Sequence, residues 1–198
     1  MRFERKHFRN ELIRLNQGEN AYLGTEAFLV NCKIESRVGS RSLSISGARF
    51  LGGEFHAKRK LSNVKFLGGK FENVKFFGSY KGCDFGYWDC WNEYGRMKEC
   101  DFSDATLDQC RFINVDMEGI KLPKCSTICI IDPIGNSSTI SSMDWPDELR
   151  IIKKVVLSET PECSAIIYNV DALLKEYGGD MEVFKKTICA YDFFVLNF

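Results

Sequence analysis

The segment ECDFSDATLDQCRFINVDM, residues 99–117, repeats one pattern every five positions. Each repeat has a large apolar residue, and a small or compact residue stands two positions before it. The large residues of this segment are Phe102, Leu107, Phe112 and Met117, and the small ones are Cys100, Ala105, Cys110 and Val115. The position between them is polar, as at Asp101 and Arg111. The segment therefore predicts that two positions of every five face a common core.

The same pattern continues toward the N-terminus in GARFLGGEF at 47–55, NVKFLGGKFENVKF at 63–76 and GCDF at 82–85. The large positions here are Phe50, Phe55, Phe66, Phe71, Phe76 and Phe85. The spacing gains a residue around HAKRKL (56–61) and loses one around FGSYKG (77–82). Weaker repeats begin at Ala27. We interpret the slips as local insertions and deletions within one continuous array.

A period of five fits neither a flat strand, whose side chains alternate with period two, nor a helix with period 3.6. It fits a chain that runs extended for a few residues, turns a corner and repeats. Four such sides make one coil of a square β-helix in which the large and small residues both point inward. One coil cannot bury its own interior, so roughly four to five coils must stack about 4.8 Å apart.

This pattern resembles that of the pentapeptide-repeat family, whose repeats follow the consensus A-(D/N)-L-x-x. The match is closest at ECDFSDATLDQCRF, where Cys100, Ala105 and Cys110 take the small position. It covers residues 27–122, with Phe in most large positions and Gly or Val in several small ones. The resemblance implies a mainly β fold, a right-handed quadrilateral β-helix. It implies no single function, because a fold does not determine one.

The segments that flank the repeats differ in character. Residues 1–26 are expected to form an N-terminal cap, with a short amphipathic helix over residues 4–16. Residues 27–135 are expected to form the β-helix, with residues 86–99 (GYWDCWNEYGRMKE) extruded as a loop. Residues 136–198 are expected to form a helical unit packed on the rod end, with helices at PDELRIIKKVVL, ALLKEYG and MEVFKKTICAYDFF. The segment SAIIYNV, residues 164–170, fits either a strand or the start of a helix.

Composition indicates an ordered protein in a reducing compartment. The apolar fraction is 44%, and 27 basic residues balance 27 acidic ones, which argues against a nucleic-acid partner. Four of the nine cysteines stand in small positions, where they act as compact apolar groups: Cys32, Cys83, Cys100 and Cys110. We see no apolar segment typical of a secretory signal or a membrane span. We therefore expect a cytoplasmic location.

The zero net charge hides an uneven distribution along the chain. Residues 49–81 hold eight basic and two acidic residues, a net charge of +6, whereas residues 84–118 hold three basic and nine acidic residues, a net charge of −6. Such a dipolar rod would steer a charged partner. The alternative is that the outward positions of any repeat are polar and that the imbalance has no function.

Aromatic residues concentrate in the predicted loop. The candidate partner-binding residues are Tyr87, Trp88, Trp91, Tyr94 and Arg96. Trp, Tyr and Arg anchor many protein interfaces, and binding residues often lie on loops held by a rigid scaffold. The alternative is that these rings fold back and cover the surface of the rod.

The sequence predicts neither a metal site nor catalysis. Cys125 and Cys129 have C-x-x-x-C spacing, but the chain has only two histidines, His7 and His56, and no second cysteine pair nearby. No phosphate-binding G-x-x-x-x-G-K or nucleophile G-x-S-x-G motif occurs. We therefore expect no enzyme activity, no small-molecule substrate and no cofactor.

These observations favour a non-catalytic bacterial scaffold, a monomer or homodimer, that binds another protein. Within the family resemblance two uses compete. One is an immunity-type protein that binds and neutralises a cognate toxin by occlusion. The other is a protective protein that imitates duplex DNA and binds gyrase, which the neutral charge and the basic first half argue against. A secreted effector is a further alternative, and it would need catalytic residues in 123–198 that the sequence does not reveal.

Overall fold

The strands of residues 2–113 stack as parallel coils and give a mainly β solenoid of about four turns. This computed structural model describes residues 1–88, 96–124 and 126–197. Each side of the solenoid is a parallel sheet in which Phe28–Ser36, for example, pairs with Arg49–Ser62. The predicted class of fold, stacked β coils, is thus confirmed.

Most strands are short because each side of a coil is only a few residues wide. The strands of the solenoid are β1 (Arg2–Phe3), β2 (His7–Arg9), β3 (Leu12–Leu15), β4 (Ala21–Leu23), β5 (Phe28–Ser36), β6 (Leu43–Ile45), β7 (Arg49–Ser62), β8 (Lys65–Phe66), β9 (Lys70–Glu72), β10 (Lys75–Lys81), β11 (Asp84–Gly86), β12 (Arg96–Lys98), β13 (Asp101–Asp108) and β14 (Cys110–Ile113). The first side of the solenoid contains β1, β4 and β6 as one sheet, and β8, β11 and β14 in another.

Phenylalanine rings of successive coils stack along the interior. Phe50 lies on Phe71 with ring centroids 4.4 Å apart, and Phe66 lies near Phe85 at 4.9 Å. Nine of the predicted large residues are only 0–2% exposed: Phe50, Phe55, Phe66, Phe71, Phe76, Phe85, Phe102, Leu107 and Phe112. The small positions Ala48, Cys100 and Cys110 are also fully enclosed. Because stacked rings bury large areas at low cost in conformational entropy, this column forms the main core.

Met117 departs from this arrangement. It begins a short 3₁₀ helix, Met117–Gly119, in which the Asp116 carboxylate accepts a hydrogen bond from the Glu118 amide at 3.1 Å. Its side chain is half-buried against the core instead of enclosed by it, and Ile120 is the buried residue of this turn. The last coil has no complete coil above it in the described chain, so the chain leaves the five-residue repeat here.

One corner of the solenoid is built from residues with left-handed backbone. Asn10, Asn31, Gly52, Asn73 and Glu99 follow one another in register and all have φ between +50° and +67°. Glycine and asparagine adopt this conformation most readily. At Gly52 an added Cβ would also overlap the Asn31 carboxamide oxygen. The periodic Asn and Gly residues therefore set the corners between strands.

A bulge explains the slips in spacing near residues 56–61 and 77–82. Gly78 pairs with Ala57 but Tyr80 pairs with Leu61, so β7 holds two more residues than β10 at this point. The extra residues put Lys58, Arg59 and Lys60 on the outside, all exposed. Tyr80 and Leu61, which pair directly after the bulge, are fully buried, although the five-residue pattern does not identify them.

The predicted helix over residues 4–16 is wrong. The segment contains β2 and β3, both of which pair in parallel with β5, and β1 pairs with β4. In β3 the side chains alternate, with Ile13 and Leu15 buried and their neighbours exposed. The edge of β5 offers a complete set of backbone hydrogen-bond partners, and this pairing outweighs a weak helical pattern. Residues 1–26 therefore extend the solenoid by one coil.

The C-terminal unit is mixed α/β and not only helical. Its elements are β15 (Thr127–Ile131), α1 (Ser137–Ser142), α2 (Arg150–Leu157), β16 (Cys163–Asn169), α3 (Val170–Tyr177), α4 (Met181–Ile188) and β17 (Phe194–Asn197). β16 lies antiparallel between β14 and β15, and β17 pairs with β15, so these strands extend the first side of the solenoid. Trp145, Ile152 and Phe184 belong to a second core between this sheet and the helices. None of the helices in the described chain has the length and apolar character needed to cross a bilayer.

Candidate functional site

The outward residues of the solenoid form columns, because parallel pairing places equivalent positions of successive coils side by side. Neighbouring strands are about 4.8 Å apart, so charges in one column interact strongly. Opposite charges at paired positions stabilise a sheet, and like charges destabilise it. The sign sequence along each column therefore distinguishes columns of alternating charge from columns of like charge.

On the third side, where β3, β5, β7, β10 and β13 pair in succession, the charges alternate. The residues in register are Lys33, Glu54, Lys75, Asp101 and Lys121, which we call the charge ladder. Lys33 lies 3.3 Å from the Glu54 carboxylate, and Lys121 lies 3.9 Å from Asp101. Glu54 also accepts a hydrogen bond from His56, which lowers the pKa of the Glu54 carboxyl. This column is satisfied within the fold.

Stacking also joins the two oppositely charged halves of the sequence. The Lys75 ammonium forms an ion pair with the Asp104 carboxylate, and the Lys81 ammonium lies 3.2 Å from the Asp108 carboxylate. The hydrogen bond from Lys75 lowers the pKa of the Asp104 carboxyl. The dipole expected from the linear sequence is therefore largely cancelled on these sides, because the acidic coil lies directly on the basic one.

The second side, where β2, β5, β7, β9 and β12 pair in succession, is different, and its cations lie next to one another. Arg49 pairs with Lys70, and Lys70 pairs with Arg96. We call these three residues the basic column. The Arg49 guanidinium also lies 5.2 Å from the centre of the Phe28 ring. Exposed Leu51 lies two residues along the same strand, in the adjacent outward column, which it shares with Glu72 and Lys98.

A cleft opens beside the basic column, next to the described ends of the predicted loop. Its volume is about 520 Å³. Tyr87 and Arg96 both line it, together with Lys70, Lys98 and Asp116. The Tyr87 amide donates to the Ile113 carbonyl at 3.1 Å, and the Asn114 side chain donates to the Tyr87 carbonyl at 3.3 Å. The structure thus brings two of the candidate residues, Tyr87 and Arg96, into one cleft.

Trp88 has a different environment from Tyr87. Its ring is half-buried and packs on a small cluster of Leu67, Ile113 and Cys163. This contact favours the packing interpretation for Trp88 over the binding one. Trp91 and Tyr94 lie outside the described residues. Both ends of the predicted loop 86–99 are strand instead, because Gly86 ends β11 and residues 96–98 form β12, paired with β9, and residues 89–95 lie outside the described residues.

The described residues contain no group of three or more His, Cys, Asp or Glu side chains placed to hold a metal ion. Cys125 lies outside the described residues, and Cys129 is buried in β15. Burial raises the pKa of the Cys129 thiol to about 12, so the thiol is protonated at neutral pH and is a poor ligand or nucleophile. His56 is engaged by Glu54 and stacks on Phe77 with ring centroids 4.2 Å apart.

Sequence reasoning identified Tyr87 and Arg96 but did not identify Arg49 and Lys70 as members of the same surface. The signal is present in the chain as a basic residue preceding Phe50, Phe71 and Met97, and it becomes visible once these residues are aligned coil by coil. The resulting surface combines cations, an aromatic residue and an exposed leucine, and it suits an anionic patch on another molecule. No protein-family model, no curated protein and no solved structure matches the chain.

Proposed function

We propose that this chain is a non-catalytic scaffold that binds the acidic surface of a protein partner on its basic column. The observation that carries the proposal is the run of Arg49, Lys70 and Arg96 in register on adjacent strands. These three cations are neighbours on adjacent strands, whereas the charge ladder on the next side alternates in sign. The locally positive surface would steer an acidic partner to this side during association and attract its carboxylates on binding.

The specific form that we propose is an immunity-type protein that neutralises a cognate toxin by occluding its surface. The repeat pattern resembles that of pentapeptide-repeat proteins, and a stack of coils with a continuous core is a rigid support for a binding surface. A mimic of duplex DNA would need an acidic rod, so the basic column favours the first use. The seven described cysteines are free thiols and six of them are buried, which supports a cytoplasmic location.

The proposal is tested by charge reversal. The triple variant Arg49→Glu, Lys70→Glu and Arg96→Glu is compared with the matched triple Lys58→Glu, Arg59→Glu and Lys60→Glu on the bulge, which changes the net charge equally. Each chain is used as bait in lysate of the source organism, with quantitative mass spectrometry as the readout. We expect wild type and the bulge triple to recover one acidic partner, and the column triple to recover at least tenfold less.

The recovered partner then decides the finer proposal. A partner that arrests growth when expressed alone, with growth restored by the wild-type chain but not by the column triple, supports toxin neutralisation. Recovery of topoisomerase subunits supports the DNA-mimic alternative instead. Equal recovery of the same partner by both triples contradicts binding through the basic column.

A further inference from the structure

Two cysteines occupy the small positions of successive coils on the first side of the solenoid. β11 pairs in parallel with β14, and this pairing places Asp84 beside Arg111. Cys83 and Cys110 come one residue earlier on the two chains, and the Arg111 amide donates to the Cys83 carbonyl at 3.0 Å. The two cysteines therefore lie side by side in neighbouring coils. We call Cys83 and Cys110 the thiol pair.

The two thiols of this pair contact each other. Their side chains are hydrogen-bonded to one another, and both residues are fully buried. Cys83 Sγ also lies 3.5 Å from the Leu61 carbonyl oxygen, and Cys110 Sγ lies 3.5 Å from the Tyr80 carbonyl oxygen. Tyr80 belongs to the coil that holds Cys83, so the Cys110 sulfur is turned toward its partner.

The backbone spacing of the thiol pair suits a disulfide. Neighbouring strands lie about 4.8 Å apart, and the Cα atoms of disulfide-bonded cysteines are roughly 4.4–6.8 Å apart. Both cysteines are free thiols in this structure. Other buried cysteines have different neighbours, because Cys32 lies beside Gly53 and Cys163 lies beside Ile113. The thiol pair is therefore placed for a covalent bond between two coils.

The contact shifts the acidity of the two thiols in opposite directions. The hydrogen bond from Cys110 lowers the pKa of the Cys83 thiol. Burial raises the pKa of the Cys110 thiol, and the hydrogen bond to Cys83 raises it further. The thiolate, and not the thiol, is the nucleophile in cysteine chemistry. Cys83 is therefore the sulfur that an oxidant meets first, and Cys110 is the second sulfur beside it.

A surface cleft lies next to the thiol pair. It has a volume of about 270 Å³ and lies between the solenoid and α2. Its lining includes the residues on either side of each cysteine, Gly82, Asp84, Gln109 and Arg111. Hydrogen peroxide is little larger than water, so a local opening of the three-residue strand β11 admits it from the cleft to the thiols.

We propose that the thiol pair is an oxidation site at which hydrogen peroxide joins two coils through a Cys83–Cys110 disulfide. The Cys83 thiolate attacks one peroxide oxygen, the O–O bond breaks, hydroxide leaves and Cys83 becomes a sulfenic acid. The Cys110 sulfur then attacks the Cys83 sulfur, the S–O bond breaks and a second hydroxide leaves. The two hydroxides take up the two thiol protons. Two thiols and one peroxide thus give one disulfide and two waters, and the two electrons lost by the sulfurs reduce the peroxide.

The disulfide is an induced and reversible state of a chain whose thiols are otherwise reduced. Disulfides in reducing compartments are usually transient and redox-sensing, and a dithiol reductant restores both thiols. The bond closes residues 84–109 into a loop, and this loop includes Arg96 of the basic column. The inference rests on the thiol pair and its cleft, so it does not depend on the proposed function.

The first experiment exposes the folded, reduced full chain to increasing hydrogen peroxide. The chain is then unfolded in N-ethylmaleimide and digested with trypsin without reduction. We expect the peptide of residues 82–96 linked to that of residues 99–111, with fragment ions that place the bond at Cys83 and Cys110, and loss of the link in dithiothreitol. Cys100 should stay alkylated, because burial raises the pKa of its thiol to about 12. Oxidation of exposed Cys189 while both thiols of the pair remain alkylated, or a link that forms only in urea, would overturn the proposal.

Alanine variants test the identity of the two sulfurs. Cys83→Ala and Cys110→Ala keep a small apolar side chain, which the same position of the repeat holds at buried Ala105, so the fold should be retained. Each variant should abolish the link. Cys32→Ala, also in a small position, is the matched control and should form the link to the wild-type extent. A link of wild-type yield in either Cys83→Ala or Cys110→Ala would contradict the assignment.

A serine variant tests the separate roles of the two sulfurs. Cys110→Ser keeps a hydrogen-bond donor beside Cys83, whereas Cys110→Ala removes the donor, and neither variant can complete the disulfide. Peroxide should therefore convert Cys83 to the sulfenic acid several-fold faster in Cys110→Ser than in Cys110→Ala. Dimedone added during unfolding traps the sulfenic acid, and mass spectrometry measures it. Equal rates in the two variants would contradict the activation of Cys83 by Cys110.

Discussion

Phe76 and Phe102 lie face to face, with ring centroids 4.5 Å apart and ring planes inclined by 8°. Phe102 follows Phe76 by 26 residues (102 − 76), whereas Phe76 follows Phe55 by 21 (76 − 55), so the coils differ in length. The contact is kept because β12 restores the register, with Met97 paired to Phe71. The rings therefore stack along the core in coils of both lengths, since Phe50 also stacks on Phe71.

Phe102→Ala should destabilise the protein strongly. The ring is fully buried and contacts Phe76, Phe85 and Phe112. We expect a loss of about 3–5 kcal/mol in the free energy of unfolding, because the neighbouring rings cannot close the cavity. Urea denaturation measures it, with exposed Leu51→Ala as the control. Equal and small effects of the two variants would mean that Phe102 does not face the core.

Gly52→Ala should destabilise through the backbone. Gly52 has φ +67°, and the new Cβ would overlap the Asn31 side chain of the coil below. We expect a cost of about 1–2 kcal/mol or more from the left-handed conformation alone. Gly39→Ala is the matched control, since φ at Gly39 is negative and a Cβ there meets nothing within 4 Å. Thermal melts that show the same small change for both variants would contradict this account of the corner.

Alkaline pH should destabilise the fold through buried thiols. Burial raises the pKa of Cys100, Cys129 and Cys163 from 9.0 to about 12. The unfolded chain releases these protons above pH 9 and the folded chain retains them. Stability is therefore complete below about pH 9 and falls as pH rises toward 12, by up to about 1.4 kcal/mol per pH unit for each thiol.

The measurement is urea denaturation under reducing conditions between pH 8 and 10.5. Cys129→Ala provides the comparison, because it removes one of the three thiols while keeping a small apolar side chain. Its stability should fall less steeply with pH than that of wild type. Parallel pH profiles for the two proteins would show that Cys129 ionises equally well in the folded state.

Trp88→Ala should affect stability more than binding. The ring covers Leu67, Ile113 and Cys163 but is only half-buried, so we expect a loss of about 2 kcal/mol, below the roughly 3–5 kcal/mol of a fully buried aromatic residue. A urea melt measures this loss. Unchanged stability with weakened partner binding would restore Trp88 as a binding residue.

Trp91→Ala tests the remaining binding hypothesis for the aromatic residues. If Trp91 is an anchor, its removal should weaken partner binding by about 2 kcal/mol or more. The partner recovered with the wild-type bait is used, and isothermal titration calorimetry gives the affinity. Tyr87→Ala is measured in parallel, since Tyr87 lines the cleft beside the basic column. Wild-type affinity in both variants would mean that neither Trp91 nor Tyr87 contributes to partner binding.

The repeating part of the fold is predictable because each five-residue unit carries its own signal. The inward positions of Phe66 and Phe71, for example, can be predicted from the residues next to them in the sequence alone. The signal fails at Leu61 and Tyr80, where the bulge changes the spacing, although both side chains are fully buried. It fails again at Ile13 and Leu15, whose strand exists because β5 pairs with it, while the local spacing is closer to that of a helix.

The surfaces are less predictable because they depend on register. Arg49 and Arg96 are distant in sequence, and they share a column only through the pairing of each with Lys70. The ion pairs of Arg111 with Asp84 and Glu159 are harder still to predict, since Arg111 meets Glu159 only when the C-terminal unit folds back on the solenoid. The sequence of residues 164–170 fits either a strand or the start of a helix, and the place of β16 beside β14 has no local signal.

The alternating signs of the charge ladder have a consequence for how the chain folds. Because the repeats are similar, a folding chain could pair the strands of two coils that are not neighbours in sequence and leave out the coil between them. Skipping the coil of Glu54 would put Lys33 beside Lys75, and skipping the coil of Lys75 would put Glu54 beside Asp101. Each error places like charges together, so the ladder penalises misthreaded chains and helps the correct order of coils to assemble.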